Sequence, residues 1–111
     1  MMSELLEKKC KPCEGTVPAL TKQQIDDLSP HIPGWSVDAN GVEISRRFEF
    51  NNFYRTMAFV NAVAWVANQE GHHPDLEVHY AECLVRYTTH AINGLTENDF
   101  ICAAKINELA K

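Results

Sequence analysis

Histidine is the residue of this sequence whose placement is most suggestive of chemistry. Four of its five histidines fall within nineteen residues, at His72, His73, His79 and His90. Imidazole titrates near pH 6.5, so it can both accept and donate a proton at neutral pH. Acid–base catalysis uses both roles, a base that removes a proton and an acid that protonates a leaving group. The cluster therefore indicates an acid–base site.

Two other interpretations of the same histidines stay open. Any one of them could be an ordinary surface residue on an exposed sheet face, which is the interpretation we keep for His79. Zinc is the second possibility, with ligands from His72, His73, His90 and Asp75. Neighbouring strand residues project to opposite faces, so His72 and His73 would not easily converge on one ion. We expect neither a metal nor a cofactor.

Length and charge exclude several classes of protein. A chain of 111 residues with 45% hydrophobic residues suits one domain with a single core. The formal charge of −5 argues against binding to a nucleic-acid backbone. No apolar run approaches a membrane span, and the first residues lack the apolar stretch of a signal peptide. We therefore expect a cytoplasmic protein with no membrane or nucleic-acid partner.

The four cysteines have one suggestive spacing, Cys10-Lys-Pro-Cys13. A zinc ribbon would need a second such pair, and a thioredoxin-like motif should lie between a strand and a helix. This motif lies in a polar N-terminal segment instead. We expect reduced thiols, with Cys83 and Cys102 serving as small core residues.

The first elements follow an N-terminal arm. Residues 1–20 are predicted to be a flexible arm, and residues 21–111 one domain. Thr21 is a suitable cap for a short helix over Lys22–Leu28, which ends before Pro30.

Two strands come next, joined at Asn40-Gly41, which is a strong hairpin signal. The first, Trp35 to Val37, alternates apolar and polar residues. The second, Val42 to Phe50, does the same except at Arg46, which interrupts its apolar face.

Apolar residues then recur at helical spacing. Asn51 or Asn52 can cap this main helix, and Gly71 stands where a C-terminal cap is expected. Its apolar surface is wider than one sheet can cover, which favours contact with a second helix or subunit.

Two further strands, Asp75 to Tyr80 and Cys83 to Thr89, precede a last helix that begins at Thr96-Glu97-Asn98-Asp99, a capping-box spacing. The order α-β-β-α-β-β-α predicts the α+β class: a single domain, with a four-stranded antiparallel sheet and three helices packed on one face.

A register for the second hairpin connects two distant histidines. If Ala81-Glu82 is a two-residue turn, Val78 pairs with Val85 and one face of the hairpin becomes wholly apolar. The same register sets His73 opposite His90 on the polar face. We therefore predict that these two histidines are cross-strand neighbours.

The motifs that carry a family resemblance lie mainly in this second half. They are Glu70-Gly71-His72-His73-Pro74-Asp75, Tyr80, Thr89-His90 and Gly94-Leu95-Thr96-Glu97-Asn98-Asp99, with Gly34-Trp35 and Phe48-Glu49-Phe50-Asn51-Asn52-Phe53 upstream. Together they resemble the pterin-4a-carbinolamine dehydratases, over about residues 20–110. Two positions depart from the family pattern: Asn68 stands where an acidic residue is often found, and Leu76 stands where an aromatic residue is frequent.

The resemblance implies a lyase, a 4a-hydroxytetrahydrobiopterin dehydratase. Its small-molecule substrate would be a 4a-hydroxy-tetrahydropterin, its product the quinonoid dihydropterin, and its role the recycling of the pterin cofactor of aromatic amino-acid hydroxylases. The resemblance also implies a homodimer or homotetramer. Some animal members of the family serve as dimerisation cofactors for a homeodomain transcription factor, so a protein-interaction module is the competing hypothesis.

The resemblance also implies the site residues. His72, His73 and His90 would be catalytic, by proton transfer or by orienting the substrate, and Asp99 would give structural support. The substrate contacts would come from two segments: His72, His73 and Pro74, and Thr89, His90, Ala91 and Ile92.

Overall fold

The computed structural model describes residues 2–11 and 17–111, with residues 2–4 described by their backbone only. Over these residues the elements run α1 (Met2–Glu7), α2 (Lys22–Leu28), β1 (Ser36–Val37), β2 (Ile44–Glu49), α3 (Phe53–Glu70), β3 (Asp75–Val78), β4 (Glu82–Tyr87) and α4 (Glu97–Leu109). Short 3-10 turns lie at Ser29–His31 and His90–Ile92. None of the helices in the described part of the chain combines the length and the apolar character needed to cross a membrane.

The strands form one antiparallel sheet in the order β1-β2-β4-β3. Its apolar face is buried under the helices; the strand residues that it contributes to the core are Ile44, Phe48, Cys83, Val85 and Tyr87. The α+β class and the four-stranded antiparallel sheet are confirmed.

Local sequence signals explain where the helices begin and end. Thr21 forms a capping box with Gln24 at the start of α2. The side chain of Asn52, rather than Asn51, accepts from the Arg55 amide at 2.9 Å and begins α3. Gly71 ends α3 with φ of 65°, a left-handed conformation that glycine adopts without strain. These caps are as predicted.

The predicted flexible arm contains a helix, α1, which adds to the three helices expected from the sequence. Its Leu5 is only 3% exposed and belongs to the core. The amine of Lys105 in α4 donates to the Leu6 carbonyl at 2.7 Å. Part of the arm is therefore packed against the domain, while the domain boundary near residue 21 stays a prediction.

The register predicted for the second hairpin is wrong by two residues. Val78 pairs with Cys83, and the turn is centred on Tyr80 and Ala81. The Thr56 hydroxyl donates to the Tyr80 carbonyl at 2.9 Å, and the amide of Phe50 donates to the Ala81 carbonyl at 2.8 Å. These contacts from α3 and from the end of β2 hold the turn. A shift of two residues keeps every side chain on its face, so the apolar pattern was satisfied by either register.

The register error changes the expected position of the two histidines. In the observed ladder β3 begins at Asp75, which pairs with Arg86. His90 lies beyond the end of β4, in the 3-10 turn His90–Ile92. His73 and His90 are therefore not cross-strand partners.

Candidate active site

An open cavity of about 450 Å³ lies where the end of α3, the end of β4 and the N-terminal segment meet. The residues that line it are Cys10, Lys11, Glu70, Gly71, His72, His73, Thr88, Thr89, His90, Ala91 and Asn98. The cavity thus brings together three of the four clustered histidines.

His72 is the most enclosed histidine of this group. The left-handed cap at Gly71 turns the chain, and the His72 amide donates back to the Ala67 carbonyl at 3.2 Å. The imidazole is only 12% exposed, and its Nε2 lies 2.6 Å from Oδ1 of Asp99. Its ring stacks on Tyr87, with centroids 5.3 Å apart and planes 10° from parallel. Packing and this hydrogen bond therefore hold the ring in one orientation.

Asp99 is fully buried, and each of its carboxylate oxygens has a partner. Oδ2 accepts from the Thr89 hydroxyl at 2.8 Å and from the Thr96 amide at 3.0 Å, while Oδ1 faces His72. The Thr96 contact belongs to the capping box of α4, whose N-terminal dipole also favours a negative charge here. Asp99, which the sequence predicted as part of a capping box, is thus also the hydrogen-bond partner of His72.

The charge of Asp99 decides the protonation of His72. Burial by itself lowers the pKa of His72, because it disfavours the charged imidazolium. The hydrogen bond to Asp99 and the charge of its carboxylate, with a smaller contribution from Cys102, outweigh burial and raise the pKa above its ordinary value. His72 therefore keeps its proton to higher pH than a free histidine.

His73 and His90 lie at the open side of the cavity. Both are exposed, and the side chain of His90 is 73% exposed. Nε2 of His90 lies 3.9 Å from Oδ2 of Asp75, which is also mostly exposed. A backbone bridge between Thr89 and Gly94 closes the loop that carries His90. The cavity thus combines one largely enclosed histidine with two whose side chains are open to solvent.

The residues predicted as site residues divide into two groups. His72, His73, Thr89, His90 and Ala91 line the cavity, and Asp99 lies behind His72.

Three other residues discussed in the sequence analysis, Pro74, Ile92 and His79, are not among the described residues that line the cavity. The substrate contacts of Pro74 and Ile92 stay predictions. His79 lies at the turn end of β3, where its Nε2 is 3.4 Å from a carboxylate oxygen of Glu77.

Sequence reasoning missed several lining residues, notably Cys10, Lys11, Glu70 and Asn98. The Cys10-Lys11 pair lies in the segment expected to be loose, so nothing in the local pattern pointed to the cavity. Glu70 and Asn98 stand inside the motifs quoted above, and that proximity was the available signal.

The described part of the chain shows no arrangement of side chains suited to binding a metal ion. No group of three or more His, Cys, Asp and Glu residues there is placed to hold an ion. The carboxylate of Asp99 is instead directed at a histidine and at hydrogen-bond donors.

The sequence profile of the family described as Pterin 4 alpha carbinolamine dehydratase matches residues 18–109. The chain belongs to this family. A pterin-4-alpha-carbinolamine dehydratase of Nitrosomonas eutropha is 58% identical over 107 residues, covering 96% of this chain and 93% of the relative. One of Legionella pneumophila strain Corby is 56% identical over 110 residues, covering 98% and 97%. Membership of the pterin carbinolamine dehydratase family places the chain among the dehydratases, which are lyases.

Solved structures agree with the family assignment. A transcriptional coactivator/pterin dehydratase of Brucella melitensis is 30% identical, with a TM-score of 0.80 over 85% of this chain and all of the other. A pterin dehydratase-like RuBisCO assembly factor of the alpha-carboxysome has a TM-score of 0.61 at 22% identity, over 69% and 89%. The second likeness concerns the fold alone.

Proposed function

We propose that the chain removes water from a 4a-hydroxy-tetrahydropterin to give the quinonoid dihydropterin, by acid–base catalysis with histidines. One observation carries the proposal: a family member has three histidines around one cavity, and one of them is buried against a carboxylate. The pterin is the small-molecule substrate, and no step of this reaction requires a metal or a cofactor.

The reaction needs one base and one acid. A base removes the proton from the ring nitrogen beside the carbinol carbon, and the electron pair forms a carbon–nitrogen double bond. The carbon–oxygen bond breaks at the same time, and an acid protonates the departing hydroxide to give water. Positioned side chains typically accelerate such proton transfers by about 10²- to 10⁴-fold.

His72 is suited to the acid role. The carboxylate of Asp99 accepts from its Nε2, which leaves Nδ1 as the ring nitrogen that gains and loses a proton. The raised pKa of His72 keeps the imidazolium present at higher pH than in free histidine. We therefore assign hydroxyl protonation to His72, and Asp99 acts as its positioning residue.

The base comes from His73 or His90. Their exposure lets them pass a proton to water after each turnover. Because the two are not cross-strand partners, they are not paired with each other in this assignment, and His72 supplies the acid to an exposed base.

The cavity fits a bicyclic ring of this size. Its volume lies within the roughly 300–1,000 Å³ of small-molecule sites. Polar side chains of Thr88, Asn98 and Lys11 line it beside the histidines. Lys11 can donate to the carbonyl edge of a pterin, whereas the Thr88 hydroxyl already donates to backbone carbonyls and the Asn98 amide is already bonded to the Lys11 backbone.

The cellular role follows from the substrate. We propose that the enzyme acts in the cytoplasm as a homodimer or homotetramer. It would return the pterin cofactor of aromatic amino-acid hydroxylases to its reducible form, a step of tetrahydrobiopterin regeneration.

A role as a protein-binding module is the second candidate. The name of the Brucella relative combines coactivator and dehydratase, and α3 exposes large aromatic side chains, Tyr54 at 79% and Trp65 at 64%. A protein without dehydratase activity that bound a helical partner would favour this role.

The decisive experiment is a stopped assay of 4a-carbinolamine breakdown, with and without the protein, before and after treatment with a chelator. We expect acceleration that the chelator leaves unchanged. The uncatalysed dehydration is measurable, so rates are compared after its subtraction. Activity that vanishes on chelation and returns with zinc would overturn the metal-free mechanism.

A further inference from the structure

Two sulfur atoms meet beside the cavity, and the proposed dehydration does not use them. Sγ of Cys10 lies 3.5 Å from Sγ of Cys102, and either thiol can donate to the other. Cys10 is partly exposed and lines the cavity, whereas Cys102 is fully buried in α4. One sulfur of the pair is thus accessible to a small reagent, and the other is protected behind it.

The segment that carries Cys10 is held against the domain on both sides of the thiol. The Cys10 amide donates to Oε1 of Glu70 at 2.9 Å. The next residue, Lys11, forms two hydrogen bonds with the Asn98 side chain, its amide donating at 3.1 Å and its carbonyl accepting at 2.7 Å. Cys10 is therefore positioned over Cys102 by contacts that do not involve either sulfur.

The ionisation of each thiol depends on the other, because a hydrogen bond joins them. The hydrogen bond from Cys10 lowers the pKa of Cys102 most strongly; burial opposes this, and the nearby His72 assists it. The pKa of Cys10 is raised, mainly because it keeps its proton for that hydrogen bond and because it is buried. Cys102 is therefore the more acidic of the two thiols, and Cys10 becomes a nucleophile once it passes its proton to the Cys102 thiolate 3.5 Å away.

We propose that Cys10 and Cys102 are a thiol-oxidation site, which closes to a reversible intramolecular disulfide by exchange with a low-molecular-weight disulfide. The accessible Cys10 thiolate attacks the small disulfide, whose sulfur–sulfur bond breaks and releases one small thiolate. The Cys102 thiolate then attacks the Cys10 sulfur and releases the second small thiolate. Two protein thiols lose two electrons, the small disulfide is reduced to two thiols, and these take up the two protons.

Closing the bond requires a modest movement. A disulfide has a sulfur–sulfur distance of about 2.0 Å, so the pair must approach by about 1.5 Å. Cys10 lies in the non-helical segment 8–11, which can absorb this shift, whereas Cys102 lies within α4. The reduced pair is the expected resting state in the cytoplasm, where persistent disulfides are rare and those that form are mostly redox-sensing.

The experiment that tests this is disulfide mapping in glutathione redox buffers. The reduced full-length protein is equilibrated with mixtures of glutathione and its disulfide, trapped with an alkylating reagent, and digested for mass spectrometry. We expect one intramolecular Cys10–Cys102 cross-link, with Cys83 alkylated throughout. Dithiothreitol should remove the cross-link.

Three variants separate the alternatives. Cys13→Ser is the matched control and should form the cross-link as the wild type does. Cys10→Ser and Cys102→Ser should not form it. A dominant Cys10–Cys13 disulfide, a stable glutathione adduct without closure, or no cross-link in a large excess of glutathione disulfide would each overturn the proposal. Cys10→Ser changes a partly exposed residue, so the test stands even if Cys102→Ser does not fold.

Thermal unfolding gives a second readout. The two cysteines are 92 positions apart, so their disulfide would constrain most of the unfolded chain. We expect the melting temperature of the oxidised wild type to exceed that of the reduced form by at least about 5 °C. An unchanged melting temperature on full oxidation would contradict a cross-link between residues so far apart. Neither readout depends on dehydratase activity, so this proposal can fail or succeed separately from the proposed function.

Discussion

Replacing Asp99 by asparagine should strongly lower the dehydratase activity while leaving the shape of the cavity almost unchanged. The carboxylate accepts three hydrogen bonds in a fully buried position, from His72, Thr89 and Thr96. An asparagine has one acceptor oxygen and one donor nitrogen. If the oxygen keeps the two threonine contacts, its amide group faces Nε2 of His72 and must donate to it. The neutral ring then carries its proton on Nδ1, the nitrogen that we assign to the reaction.

The size of the effect follows from these contacts. Loss of a positioned acid or base costs about 10²- to 10⁴-fold in turnover, and a wrong tautomer falls in the upper part of that range in a hydrolase triad. Hydrogen bonds to a charged group contribute about 1.5–3 kcal/mol each, and breaking a buried ion pair costs about 3–5 kcal/mol. Since the amide retains two contacts, we expect a loss of about 2–3 kcal/mol in the free energy of unfolding. This corresponds to a fall of about 10 °C in melting temperature.

Steady-state kinetics and nitrogen NMR of His72 are the measurements. Asp99→Asn should lower kcat more than it changes KM and should move the ring proton of His72 from Nε2 to Nδ1. Asp75→Asn is the matched control: Asp75 is 62% exposed and lies 3.9 Å from His90, a geometry worth about 1 kcal/mol or less. If Asp99→Asn kept kcat within threefold of the wild type with an unchanged tautomer, the positioning role of Asp99 would be refuted.

The remaining predictions concern the histidines and assembly. His90→Ala should lower kcat by roughly a hundredfold, whereas His79→Ala should stay near wild type, since His79 lies away from the cavity. If steady-state kinetics showed the reverse order, the proposed position of the active site would be wrong. The pKa of His72 is raised in the folded state, so its proton-linked contribution to stability is full below about pH 6.5 and is lost as pH rises through the folded-state pKa. The difference in melting temperature between wild type and His72→Gln should therefore shrink from pH 6 to pH 9 in calorimetry. The edge strands β1 and β3 and the exposed Trp65 favour association, and light scattering at micromolar concentration should give a dimer or tetramer rather than a monomer.

Much of the fold could be predicted because its signals are local. Thr21, Asn52 and Gly71 act within one turn of their own helix ends, so their side-chain and backbone preferences are visible in the sequence. The faces of the strands follow from a period of two, which does not depend on the partner strand. Arg46 is the polar residue that interrupts the apolar face of β2. Its guanidinium lies 4.5 Å from the Phe48 ring centre and donates to Asn107 of α4 at 2.7 Å.

Contacts between distant segments decided the rest. The hairpin register differs from its alternative only by two residues, and the choice depends on Thr56 and Phe50, which lie far from the turn in sequence. The clustering of histidines was visible in the sequence, but the chemical difference among them was not. Whether a histidine is buried against Asp99 or exposed beside Asp75 depends on how α4 packs against the end of α3. The residue types available for proton transfer can be seen in the sequence alone. Their protonation cannot, because it depends on burial and neighbouring charge, which are properties of the packed chain.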